Sequence, residues 1–227
     1  MAAAEATTGA STMIPDASAG TGTKLSGGMV GPTTLGFLAF GLMSILFGLS
    51  QLPGPYSTGF NVQVSLGIWA TGSIVSLTML MLGGIVLILI GGIAFLKSGH
   101  PFWSSAFFGF GAFWLIWSSV ASSGNNHLLY GYGVAGFALL WVLFSLTYLI
   151  SSMKHGWMTF IFFLVVTIAY ILLVVEAWQW GAKPTTPISG FELGAIGGFW
   201  ILAGIIGWYS GTARLAEYTY GKKVLPG

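Results

Sequence analysis

LGIWATGSIVSLTMLMLGGIVLILIGGIAFL, residues 66–96, carries no charged side chain along its whole length. A helix crosses the hydrocarbon layer with about 20 apolar residues at 1.5 Å rise each. The stretch is therefore long for one crossing and too short for two crossings with a turn between them. Its second part, Ile74 to Leu96, reads as a membrane helix, and the part before it as interfacial or irregular. The rest of the chain repeats the pattern. Seven basic and five acidic residues make up 5% of 227 positions, whereas soluble domains use roughly 25%. A water-facing surface cannot be built from so little charge, so lipid must cover most of the exterior. The formal net charge of +2 leaves no basic cluster to track nucleic acid.

Working outward, the segment before Gly31 is rich in Ala, Thr, Ser and Gly and has no continuous apolar core. It reads as a disordered polar tail rather than a secretory signal. The first span runs from Leu35 to Leu52 and ends at the Pro-Gly-Pro of residues 53–55. Beyond Leu96, further spans follow at Ser104 to Ser122, Leu128 to Ser152, Met158 to Val175 and Phe191 to Tyr209. The expected fold is all-α: six transmembrane helices, one membrane domain over residues 31–220, a polar tail over 1–30 and a short tail over 221–227.

The few charges give this layout a direction. With six spans, Lys24, Lys97, Lys154, Arg214, Lys222 and Lys223 share one side and Lys183 lies on the other. Basic residues favour the cytoplasmic side, so both termini are expected inside, in a multi-pass protein of the cytoplasmic (inner) cell membrane. Trp157 opens the fifth span, and Trp178 and Trp180 close it at the level of the headgroups. Glycine adds a packing signal. Gly197, Gly204 and Gly211 recur every seven residues, as do Gly84 and Gly91. Each set marks one stripe of its helix, where backbones can approach closely.

Catalytic constellations are absent from the sequence. His100, His127 and His155 fall in expected loops at no metal-ligand spacing, and no phosphate loop or nucleophile elbow occurs. The reading is of a protein that is not an enzyme and has no cofactor or bound metal. Glu176 is the acidic residue nearest the membrane interior. It reads as interfacial and solvated, with a proton-linked role as the competing reading.

Three segments carry a resemblance. Gly31-Pro32-Thr33-Thr34-Leu35-Gly36-Phe37 stands where a known family has Asn-Pro-Ala-Pro-Leu-Gly-Leu. Gly83-Gly84, then Gly99-His100-Pro101-Phe102-Trp103, then Phe110-Gly111-Ala112-Phe113-Trp114 follow at that family's spacing. Gly221-Lys222-Lys223-Val224-Leu225-Pro226 resembles its Gly-Arg-Thr-Val-Leu-Pro ending. The family is that of the acetate uptake transporters, which includes bacterial succinate–acetate permeases and fungal acetate and ammonia export proteins.

That resemblance implies a homo-hexameric ring with one pore per subunit for acetate and related small carboxylates, succinate among them. It implies a constriction made by Phe40, Phe110 and an aliphatic residue of the fifth span, Val165 or Leu164. The signature residues Pro32, Thr33, Thr34, Leu35 and Gly36 would border the path. The departures make the expected pore drier. A Gln and a Glu of bacterial relatives are Ile88 and Phe95 here, a tyrosine is Phe110, and a Glu near the end of the last span is Arg214.

A bare carboxylate in hydrocarbon is very costly, so the path needs compensating groups. With Lys and Arg outside the spans, three sources are expected. They are N–H groups at the helix start preset by Pro32, the hydroxyls of Thr33, Thr34, Ser104 and Ser105, and protonation of the solute itself. Two other readings compete: a channel for a neutral solute such as urea, an amide or ammonia, and a non-transporting subunit whose glycine stripes are docking faces. The orientation is directly testable. A reporter active only in the cytoplasm is expected to be active when fused at either terminus and silent when inserted beside Lys183. Activity at Lys183 would overturn the six-span layout.

Overall fold

The computed structural model describes residues 31–52, 77–98, 101–122, 132–182 and 190–226. The tail before Gly31, the interfacial segment before residue 77, His100, His127 and Lys183 lie outside the described residues. Among the described residues every regular element is helical, and they form six rods. These are α1 (Pro32–Gln51), α2 (residues 77–98, a π-helical stretch Met79–Val86 running into α-helix Leu87–Ser98), α3 (Pro101–Ser122), α4 (Tyr132–Ser152), α5 (Trp157–Ala182) and α6 (Gly190–Tyr220).

Four of them, α1, α4, α5 and α6, are long and apolar enough to cross a membrane, and α2 carries a shorter apolar run over Met79–Ala94. Several rods outrun the expected spans. α6 continues from Tyr209 to Tyr220 because its hydrogen-bonded ladder does not stop where hydropathy falls. Turns close on glycine where the backbone demands it. Gly156 (φ +99°) ends the tight turn between α4 and α5, and Gly221 (φ +65°) ends α6.

α1 and α6 share the most extensive helix contact in the molecule. A Cβ at Gly48 would lie 2.6 Å from the Gly197 carbonyl oxygen and 2.7 Å from the Ile201 nitrogen. One at Gly204 would lie 2.7 Å from the Gly41 carbonyl oxygen and 2.7 Å from the Ile45 nitrogen, and one at Gly211 would meet Leu38. Backbone lies against backbone along the stripe that the seven-residue spacing marks, and the two helices run antiparallel. The second stripe works the same way. Gly84 sits against Leu115 and Gly91 against Ser104 and Phe108, so α2 and α3 are also antiparallel.

Ring contacts fix the other directions. Phe37 touches Phe107, Phe40 touches Phe110 and Phe47 touches Trp117, so α1 and α3 ascend together. Phe110 meets Phe163 and Phe113 meets Tyr170, so α5 ascends with them. The start of α1, the turn at Gly156 and the end of α6 therefore share one end of the bundle. That end collects Lys154, Arg214, Lys222 and Lys223. The α3 and α4 backbones stand apart and meet through long side chains, Phe110 on Phe144 and Phe113 on Phe137 and Trp141, and α4 leaves Leu139, Leu140, Leu143 and Ile150 exposed along its outer side.

The glycine seam carries a prediction. Gly48→Leu is expected to destabilise the fold by about 1–3 kcal/mol through overpacking against backbone that cannot yield. Gly198→Leu, where a Cβ meets nothing within 4 Å, is expected to be near neutral. Thermal unfolding in detergent distinguishes them, and equal midpoints would remove the seam from the account.

Candidate functional site

α1, α3, α5 and α6 each present aromatic residues to the bundle centre at helical spacing. On α1 these are Phe37, Phe40 and Phe47; on α3 Trp103, Phe107, Phe110, Phe113 and Trp114; on α5 Phe162, Phe163 and Tyr170; on α6 Trp200. Together they form a continuous column. At its middle the rings of Phe40, Phe110 and Phe162 meet, with centroids 4.7 Å apart for Phe40–Phe110, 5.2 Å for Phe40–Phe162 and 6.4 Å for Phe110–Phe162. None of the three is more than 1% exposed. The geometry is edge-on or tilted, the arrangement that ring quadrupoles favour and that adds about 0.5–1.5 kcal/mol per pair beyond burial. Three helices thus close the centre with hydrocarbon.

On one side of this closure lies a cavity of about 310 Å³ with Phe37 and Phe162 in its wall. Arg214 of α6 enters the same wall, its guanidinium carbon 5.2 Å from the Phe37 ring centroid and 5.6 Å from that of Trp103. His155, its ring tilted against Phe102 with centroids 4.3 Å apart, and Glu217 also line it. The segment after Gly221 folds back over the cavity. Lys223 and Leu225 line it, and the Tyr209 hydroxyl donates to the Pro226 carbonyl at 2.7 Å.

On the other side of the closure, Phe113 touches Trp114, Trp141, Tyr170 and Trp200, while Phe47 touches Trp114 and Trp200. The indole N–H groups of Trp114, Trp141 and Trp200, the Tyr170 hydroxyl and the Ser44 hydroxyl are buried without hydrogen-bond partners among the described residues.

The expected site residues divide. Phe40 and Phe110 come into direct contact. Val165 is buried one turn along α5 from Phe162, and Leu164 is half-buried. The ring that meets both Phe40 and Phe110 is Phe162, which nothing in the sequence separated from its neighbours in an apolar run. Pro32 and Thr33 are half-buried at the start of α1. Thr34 is buried and its N–H is spent on the Gly31 carbonyl at 3.0 Å. Gly36 lies beneath the Phe107 ring, which a Cβ would meet at 2.6 Å. Leu35 is half exposed and takes no place in the column.

Ser104 and Ser105, the other expected path hydroxyls, both donate to backbone carbonyls. Ser104 donates to the Gly91 carbonyl at 2.7 Å and ties α3 to α2. Ser105 donates to the Pro101 carbonyl and accepts from the Tyr148 hydroxyl at 2.7 Å, beside the open cleft between α3 and α4. Glu176 also differs from its solvated reading. It is 2% exposed, because α5 runs on to Ala182 and carries it inside the bundle. Neither carboxyl oxygen has a hydrogen-bond partner among the described residues. Arg214 was legible as a charge for orientation and as a departure from the family's Glu. Its approach to Phe37 and Trp103 depends on how α6 packs on α1.

These features define a helical multi-pass membrane protein whose centre is an aromatic column opening on a cation-bearing cavity. The chain belongs to the GPR1/FUN34/yaaH family, whose model matches residues 23–221. This is the acetate uptake transporter family that its three segments resemble. An uncharacterised protein of Methanothermobacter thermautotrophicus is 25% identical over 207 residues, covering 86% of this chain and 89% of that one. The fold is similar to that of the bacterial acetate channel SatP, with a TM-score of 0.69 and 20% identity over 88% of this chain and 99% of that one.

The buried carboxyl of Glu176 makes a stability prediction. An unpartnered buried polar group costs about 1–3 kcal/mol. Glu176→Leu is therefore expected to raise the thermal midpoint in detergent. A lowered midpoint would show that the carboxyl has a partner.

Proposed function

We propose that this chain is a membrane pore for acetate and related small monocarboxylates, with the Phe40–Phe110–Phe162 contact as its gate. The observation that carries the reading is the triple ring closure itself, set midway in an aromatic column within a SatP-like fold. In this reading all six helices cross the membrane, and both termini face the cytoplasm, as the clustering of basic residues at one end supports. Six copies form a ring, each with its own path. The exposed leucines of α4 and the open side of α3 are the surfaces available for contact with neighbours and lipid.

Mechanism follows from what the closure lacks. A carboxylate stripped of water among phenyl rings meets no hydrogen-bond donor there, so the anion pays its full desolvation cost. Acetic acid pays much less. Passage as the acid moves one proton with each acetate, which amounts to symport in effect even if no side chain relays the proton. A narrow apolar gate also rejects solutes by width, since the rings must part to admit one. The dryness of the gate equally suits a neutral amide, so urea is the discriminating solute.

Flux into proteoliposomes at several external pH values tests the proposal. Acetate uptake is expected to rise as the external pH falls, with no urea uptake; urea flux without acetate flux would favour the neutral-solute reading. Phe40→Ala is expected to raise acetate flux about tenfold, equivalent to lowering the barrier by about 1.4 kcal/mol. Phe110→Tyr should keep the fold and alter the rate. Unchanged flux in both Phe40→Ala and Phe110→Ala would remove the gate.

A further inference from the structure

We propose that the Arg214 guanidinium is a carboxylate-binding station in the cavity beside the gate, and that the folded-back C-terminal segment forms part of it. The inference rests on the transport reading for its purpose, but its geometry stands separately. The guanidinium is planar and lies over two ring faces, Phe37 at 5.2 Å and Trp103 at 5.6 Å. Cation–π contact of this kind holds the charged group in place while its N–H fork stays available for a carboxylate. Rings from α1 and α3 therefore orient a cation supplied by α6, and the same Phe37 ring touches Phe162 of the gate at 5.5 Å. An anion held at Arg214 is one ring away from the closure.

The cavity is sized and charged for such a ligand. Its volume of about 310 Å³ exceeds what acetate alone fills, leaving room for waters at about 30 Å³ each. A carboxylate can thus bind while still partly hydrated. Among the described residues, Arg214 and Lys223 line the wall with one carboxylate, that of Glu217. Lys223 reaches the cavity because Gly221 takes a left-handed φ of +65° and the Tyr209–Pro226 hydrogen bond pins the returning segment. Net positive lining in a recess with low-dielectric walls raises the local concentration of small anions. The station collects the anion, and the gate behind it selects by size and hydration.

The experiment uses the full chain in nanodiscs with [13C]acetate as the probe, reading binding by NMR titration and flux in proteoliposomes. Arg214→Gln is expected to raise the acetate Kd at least tenfold and to raise KM in parallel, with the maximal flux largely kept. Arg214→Lys should recover part of the affinity. Glu217→Gln, which removes the competing carboxylate without touching the cation, should lower Kd severalfold and serves if Arg214→Gln does not fold. An acetate Kd unchanged by Arg214→Gln, or by Glu217→Gln where only that variant folds, overturns the station. So does an absence of acetate binding by the unmodified chain. Failures of the two readings separate cleanly. Acetate bound through Arg214 without flux keeps the station and removes the transport reading. Acetate flux with binding indifferent to Arg214 does the reverse.

Discussion

In lipid, two apolar helix faces gain nothing by leaving solvent, because acyl chains are as apolar as leucine. Association has to come from close packing. α1 and α6 achieve it by removing side chains along their contact, so that Gly41 and Gly48 meet the backbone at Gly204 and Gly197. This antiparallel seam turns the Phe37–Phe40–Phe47 face of α1 to the bundle centre and holds Trp200 and Arg214 of α6 beside it. A second seam between α2 and α3, fastened by the Ser104 hydroxyl on Gly91, sets the α3 aromatics opposite. The column exists because the glycines let its walls come close.

Aromatic rings suit the space so created. They fill a wide bundle centre with few rotatable bonds, and they bind one another edge to face without needing water or charge. If the closure is the proposed gate, it is a dry one, discriminating through the cost of dehydration more than through specific hydrogen bonds. In the proposed reading the recognition of an anion falls outside the closure, where Arg214 lies on two of the column's own rings. On the far side the indole, phenol and Ser44 groups, without partners among the described residues, are donors in an otherwise apolar surround. The two halves of the column therefore differ in chemistry: a cation at one end and neutral donors at the other.

Much of the fold was legible in the sequence, since membrane helices announce themselves by length and absence of charge. The seven-residue glycine repeats marked one close-packing stripe on α6 and one on α2, because small residues at that period share one helix face; which helices lie against them, α1 and α3, came from the structure. The site was legible only in part. Phe40 and Phe110 were found through family motifs, and they do meet. Phe162 could not be separated from Phe163 or Val165, because an apolar run seen alone does not say which residue faces inward. The partners of Ser104 and Ser105 were not legible, because a hydroxyl in a helix has several carbonyls in reach and only the packed structure shows which it takes.

What the sequence by itself determined is the class of the molecule, its family, the number of apolar runs and the close-packing stripes. The family follows from the resemblance of three motif segments and the rest from composition or local periodicity, none of which requires knowing any distant contact. Only the tertiary structure decided the rest. It closed three phenylalanines from three helices into one contact, buried Glu176, and folded the last residues over a cavity. It also carried Arg214 from a mark of orientation to the wall of that cavity. Those outcomes depend on how helices rotate about their axes against one another, and rotation is set by packing between residues far apart in the chain.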